Sequence, residues 1–362
     1  MTLRTPQTAA PDQHRKLALF LSGARIRTSI TAQEVGLAVT ICLLGVFFTL
    51  KNPVFFSLQN IGNILEQITF LGILAVGMTF VVISGQFDLS VGSVYGLTAI
   101  IFAYMMAHGI GVWVAMPLAV LCGAGLGLLN GLLVVSLQVP AIIVTLGTLG
   151  IYRGLAYWIS GVFPISDFAH TSAIFRISQG TFIPWPGPLD WIPDLVVALI
   201  AVGIIGHLIL SRTVFGHHVY AIGSSRVAAM VSGVRVMRVQ VFVLVLMGIT
   251  CALSAILGVG QSGTADPNAG TGFELDVIAA VIIGGVAING GRGTITASLL
   301  GMLLIGEVRN GLIIIGVSLY GQIIVSGVLI IAAVAVDRFV TRRVESGRGV
   351  REQVAQLFRR QR

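Results

Sequence analysis

The feature that most constrains this chain is a succession of apolar runs, most of them close to 20 residues long and separated by short polar or glycine-rich stretches. Coiled as an α-helix, a run of that length matches the hydrocarbon thickness of a bilayer. In lipid every backbone amide must be satisfied within a helix or a closed barrel, and continuous rather than alternating runs select helices. Spans are expected near 35–50, 65–84, 92–108, 113–135, 140–160, 191–210, 239–260, 275–290, 294–316 and 320–337. The expected fold class is therefore an all-α polytopic membrane protein with about ten transmembrane helices. Composition agrees, with 56% apolar residues, 10% charged residues and a mean hydropathy of +0.96. An ordinary soluble domain is roughly 25% charged.

The net charge of +8 is concentrated in three places. Five basic residues precede the first run (Arg4, Arg15, Lys16, Arg25, Arg27), four lie in one central loop (Arg212, Arg226, Arg235, Arg238), and eight follow from Arg338 onward. That is not a nucleic-acid footprint. It is the bias of loops kept on the cytoplasmic side. It predicts a cytosolic basic tail over 1–34, a transmembrane domain over 35–340 and a second cytosolic basic tail over 341–362. An even number of spans puts both ends and the central loop on one side. The 161–190 connection, with Pro164, Pro184, Pro186, Pro188 and one basic residue, Arg176, then falls on the other. The first run continues into Lys51-Asn52-Pro53 without a small-residue cleavage site, so it reads as a retained span. Cys42, Cys122 and Cys251 all sit in apolar runs, where helix packing is the ordinary reading and a disulfide framework is not expected.

Two segments echo each other. Phe87-Asp88-Leu89-Ser90-Val91 returns as Phe273-Glu274-Leu275-Asp276-Val277, and Asn130-Gly131-Leu132-Leu133 returns as Asn310-Gly311-Leu312-Ile313. If the offset equals five helices, the chain is an inverted internal repeat, an arrangement many transporters use to alternate access. Short matches in Gly- and Leu-rich sequence also arise by chance. Asp88 and Ser90 interrupt two apolar runs, and two readings stand side by side: N-caps of the third helix, or polar groups on a solute pathway. Glu274 and Asp276 carry the same pair of readings. Gly123, Gly127 and Gly131 at four-residue spacing, and Gly92 with Gly96, are small-residue stripes suited to close helix packing.

The central loop describes a short isolated helix. Ser224 is placed to cap it, Ala228 and Ala229 favour it, and Gly233 is placed to end it. Exposed Val227, Met230 and Val231 on such a helix call for a docked partner. His217 and His218 lack convergent ligands, so no metal site is expected. The chain's two lysines, Lys16 and Lys51, do not follow a glycine, which excludes a phosphate-binding loop. No metalloprotease or Gly-x-Ser-x-Gly motif is present, and no enzymatic activity is expected.

Several stretches resemble the permeases of bacterial ATP-binding cassette importers for ribose, other monosaccharides and autoinducer-2. They are Gly85 to Ser93, Val139-Pro140-Ala141-Ile142-Ile143-Val144-Thr145-Leu146-Gly147-Thr148, Ala221 to Val234, and Val281-Ile282-Ile283-Gly284-Gly285. Gln86-Phe87 departs from the Gly-Ile common in that family. The resemblance implies a monosaccharide permease of the bacterial inner membrane that needs no cofactor of its own. Its ATP would be hydrolysed by cytosolic subunits, a second permease chain would complete the pore, and a periplasmic sugar-binding protein would deliver solute. Ser224, Ser225, Arg226, Ala228, Ala229, Ser232 and Gly233 become the docking surface, and Asp88, Asn130, Asn310 and Gln322 the candidate pathway or gate residues. The same mechanism would serve autoinducer-2 or a sugar alcohol. A stand-alone secondary transporter would instead require coupling-ion ligands, for which Arg153, Glu307 and Arg309 are the available ionisable groups.

Overall fold

The computed structural model describes residues 32–318 except 169–172, 181–182, 184–186 and 188–190, together with 320–328, 331–332 and 335. Most of the two basic tails, Pro184, Pro186, Pro188 and much of the end of the expected 320–337 span lie outside the described residues.

Among the described residues the bounded α-helices are, in order, α1 Ala32–Lys51, α2 Leu58–Ile83, α3 Val91–Ala107, α4 Val112–Leu137, α5 Ala141–Ser160, α6 Ala173–Ser178, α7 Leu195–Arg212, α8 Val214–Ser224, α9 Arg226–Val231, α10 Val236–Ser262, α11 Phe273–Ile283 and α12 Ile295–Ile314. Residues 320–328 are helical as well. Among the described residues, seven helices are long and apolar enough to cross a membrane, and α3 is a shorter apolar helix of 17 residues. Local chemistry sets several starts. The Ser57 hydroxyl accepts from the Asn60 amide at the head of α2, and Thr294 accepts from the Ala297 amide at 3.0 Å at the head of α12.

The bundle is built around α2 and α10. Side chains such as Leu74, Val81, Leu244 and Met247 are wholly buried, and α2 packs against α10, α12, α7 and α11. The peripheral helices turn apolar side chains outward: Leu43, Leu121, Trp158 and Ile204 are all more than half exposed. Lipid is the solvent that makes such a surface stable. The glycine stripe of α4 explains how closely it meets α10. A Cβ on Gly127 would lie 2.2 Å from the Leu244 carbonyl, and one on Gly123 2.5 Å from that of Gly248. Gly92 and Gly96 serve another purpose. They make room for the 269–270 backbone and for two side chains, the Glu274 carboxylate at Gly92 and the Arg153 guanidinium at Gly96, rather than for the backbone of a neighbouring helix.

The expected 275–290 span differs. α11 stops after 11 residues at Ile283, about 16 Å of helix at 1.5 Å per residue against a core of roughly 30 Å. Gly285, Gly290, Gly291 and Gly293 then take positive φ, and the chain reverses into α12. The Ile83 carbonyl accepts from the Gly291 amide, and Gly223 of α8 packs on the same carbonyl. This junction marks one end of the bundle, hereafter the basic end, since Arg212, Arg226, Arg235 and Arg292 cluster around it in sequence. α3 leads away from it and α11 toward it; α4 leads toward it and α12 away. The echoed segments therefore start helices of opposite direction, as an inverted repeat requires.

Candidate functional site

Two features stand out: an exposed helix at the basic end, and two breaks in the bundle that lie against it. The exposed helix is α9. Its N-cap is Ser225, whose hydroxyl accepts from the Ala228 amide at 3.3 Å. Ser224, the residue expected to cap it, is instead the last residue of α8 and packs against Gly291. Gly233, at φ +83, ends α9 in a left-handed turn. Its amide donates to Met230 and that of Val234 to Ala229, both at 3.0 Å. Such a pair satisfies carbonyls that a helix end leaves open.

The docking residues expected from sequence divide here. Ser224, Ser225, Arg226, Ala228, Ser232 and Gly233 are exposed, but Ala229 is 3% exposed and seats α9 on the body of the protein. The outward face is apolar, formed by Val227, Met230 and Val231, the last 86% exposed. α8 anchors this helix. The Tyr220 hydroxyl donates to the Gly293 carbonyl at 2.7 Å, and burial pushes that phenol up to about 12, so it stays protonated. A Cβ on Gly223 would fall 1.8 Å from the Ile83 carbonyl. Both breaks, 84–90 and 284–294, are thus in contact with the α8–α9 element.

The first break carries Asp88, which is 2% exposed. Its Oδ1 accepts from the Ser90 hydroxyl at 2.6 Å and the Ser90 amide at 2.8 Å. Asn130 of α4 donates to the Ser90 hydroxyl at 2.9 Å, and Tyr152 of α5 donates to the Asn130 side-chain oxygen at 2.9 Å. Ser90 stands at the N-cap of α3, yet its side chain makes no capping bond to a helix amide. The Leu89 amide donates to Thr145, inside the Val139 to Thr148 motif. Asp88 and Asn130, two of the four candidate pathway residues, therefore belong to one buried network across three helices.

The other two lie elsewhere. The Asn310 side-chain oxygen accepts from Asn60 at 2.9 Å, and Asn60 also donates to the Phe55 carbonyl. Gln322 donates to the Val317 carbonyl at 3.0 Å, a local closing bond. Near the second echo, Arg309 of α12 pairs with Asp276 in the first turn of α11 at 2.9 Å. Arg153 donates to the carbonyls of Pro267, Ala269 and Gly92, tying α5 to the chain that enters α11. Sequence reading missed Tyr152, Thr145, Tyr220 and Gly223 as structural partners. A lone Arg in an apolar run was the signal available for Arg153, and Thr145 and Gly223 lie inside the resembling stretches 139–148 and 221–234; Tyr152 and Tyr220 carried none.

A lipid-facing helical bundle with two opposed breaks, both touching one exposed element, defines the membrane-embedded subunit of a solute transporter. Comparison with known proteins agrees. The chain belongs to the family described as the branched-chain amino acid transport system / permease component, whose pattern matches residues 60–334. It is 35% identical to the ribose import permease of Bacillus subtilis over 87% of this chain and 95% of that protein. It is 34% identical to the ribose import permease of Escherichia coli (88% and 97% covered) and 34% identical to the D-allose transport system permease of the same species (83% and 90%). No solved structure matches the chain.

Proposed function

We propose that this chain is the permease subunit of an ATP-driven importer that moves a monosaccharide inward across a bacterial inner membrane, with its basic end in the cytoplasm. The observation that carries the reading is α9: a helix of six residues, seated by Ala229, presenting Val227, Met230 and Val231 to solvent. Apolar side chains so exposed beyond the lipid mark a protein partner. A cytosolic ATP-binding subunit is that partner, and α8 passes its motion to both breaks through Gly223, Ile83 and Gly291. A second permease chain completes the pore, and a periplasmic binding protein loads it. A sugar is preferred over an amino acid because the similar permeases named above carry sugar names. Of the ionisable groups a secondary transporter would need, Arg309 is paired to Asp276 and Arg153 is spent on backbone carbonyls, which leaves buried Glu307 as the group that reading would rest on.

The test is reconstitution in proteoliposomes with the ATPase and the binding protein, using D-ribose, D-allose and leucine. Uptake of a sugar that requires both ATP and the two added proteins is the expected result. Uptake by the chain alone, driven by an ion gradient, would refute it. Val231→Asp, which changes only an exposed side chain, is expected to abolish ATP-driven uptake while the protein inserts normally. Ala229→Glu is a poorer probe because it places a charge in a buried seat.

A further inference from the structure

A groove of about 570 Å³ lies on the outside of the bundle, where α1 runs beside α12 in the same direction. The Thr294 hydroxyl donates to Glu34 at 3.0 Å near the basic end, the Phe48 ring packs on Gly311, and the Asn52 amide donates to the Ile314 carbonyl at 3.3 Å. The groove occupies the stretch between the first and the last of these contacts, with Phe55, Ile64 and Leu303 in its wall. Its mouth faces lipid, since Val46, Leu50 and Phe56 on it are all more than half exposed.

Glu307 is the informative member. It is 5% exposed and makes no hydrogen bond or ion pair among the described residues. Its Oε2 is sealed in the protein. Its Oε1 is turned toward α1, where a Cβ on Gly45 would meet it at 3.0 Å, and Gly45 lines the groove. Oε1 is therefore the atom a guest can reach. Thr49, also in the wall, already donates to the Gly45 carbonyl at 2.6 Å. Buried polar groups are nearly always paired, and an ionisable group in lipid is costly. Glu307 also lies twelve residues beyond Ile295, about 18 Å along α12 at 1.5 Å per residue and so just past the middle of a hydrocarbon core of roughly 30 Å. Phospholipid headgroups stay at the interface, so the guest is one that enters the hydrocarbon.

We infer that this groove is a binding site for a lipid-soluble amine, with the Glu307 carboxyl as its ligand. An amine nitrogen and a carboxyl share one proton, so neither is buried as a bare charge. An alcohol or an ether can bond the carboxyl but does not neutralise it. The apolar wall takes the alkyl groups, and the volume lies in the range of roughly 300–1,000 Å³ typical of small-molecule sites. No residue of the 84–90 or 284–294 break lines the groove. The site is thus independent of which solute the permease carries.

The experiment treats the full chain in proteoliposomes with dicyclohexylcarbodiimide, a lipid-soluble reagent, and reads the Glu307 peptide by mass spectrometry. The carboxyl proton passes to one carbodiimide nitrogen and the oxygen adds to the central carbon. The acyl group then shifts to the other nitrogen, so the N-acylurea keeps the whole reagent and nothing leaves. Glu307 is expected to be labelled by this reagent and not by a water-soluble carbodiimide. N,N-Dimethyldodecylamine, which cannot form an amide, is expected to slow the labelling by roughly tenfold, the factor one charge-assisted hydrogen bond supplies. Dodecyl methyl ether at the same concentration is expected to leave it within about twofold, because it is not basic. Equal protection by both would mean that the groove takes any chain and would overturn the assignment, as would labelling that neither compound slows. A Glu307 that the lipid-soluble reagent never labels would mean a groove closed to the bilayer and would overturn it too. None of these readouts requires transport, so failure of the uptake assay and failure of this site are separate results.

Discussion

In the 87–91 segment the acid, Asp88, is 2% exposed and held by neutral donors, whereas in the echoing 273–277 segment Asp276, at the position of Ser90, is partly exposed and held by a cation, Arg309. Both segments open a helix, α3 directly after the 84–90 break and α11 at the end away from the 284–294 break, and both follow the same Phe-acid-Leu pattern. Their surroundings differ because the crossing helices differ. α4 and α5 bring Asn130 and Tyr152 to the first, a chain of bonds in a dry place where each is costly to lose. α12 brings Arg309 to the second, with side-chain exposures of 35% and 13% for the pair. A pair that reaches solvent contributes little and is readily broken and remade. The start of α3 is thus built as a fixed joint and the start of α11 as an exchangeable one.

Three substitutions test that contrast, in falling order of effect. Asp88→Ala removes the acceptor for two bonds at Ser90 and is expected to cost about 3 kcal/mol, read as a lowered thermal unfolding midpoint in detergent. Asn130→Leu removes the donor to the Ser90 hydroxyl oxygen, but the Ser90 O–H still goes to Asp88 and Tyr152 keeps a second acceptor in the Leu126 carbonyl at 3.1 Å. Its expected cost is about 1–2 kcal/mol in the same assay. Arg309→Met is expected to cost no more than about 1 kcal/mol because the pair is screened, and adding Asp276→Asn should recover most of it. If Arg309→Met proves more damaging than Asp88→Ala, the contrast is reversed and the start of α11 is the fixed one.

The two segments also show how far sequence reasoning reaches. The Phe-acid-Leu echo located the starts of α3 and α11, and the direction of the helices follows from counting spans, but the 284–294 break fell inside the expected 275–290 span. The reading of Asp88 and Ser90 as N-caps was half legible: the position is right for Ser90, but its hydroxyl turns to Asp88 and Asn130 instead of the α3 amides. Gln322 was legible only as a polar residue in an apolar run, and its bond to Val317 is a local matter. Ala229 could not be told from Ala228 by composition, although one is buried and the other exposed.

By itself the sequence determined the membrane class, the spans that are long and apolar, the basic loop, and the end of α9 at Gly233, with its cap one residue away from the Ser224 expected. These depend on hydropathy, charge and capping, which act over a turn or a single helix. Tertiary structure alone decided that the eighth span is half a helix and that Asn130 closes on Ser90. It also decided that Gly223 meets Ile83 and Gly291, and that Gln86 is left without a partner. Those outcomes depend on which helix crosses which, at distances set by residues tens to hundreds of positions apart, and no local property of the chain encodes a crossing.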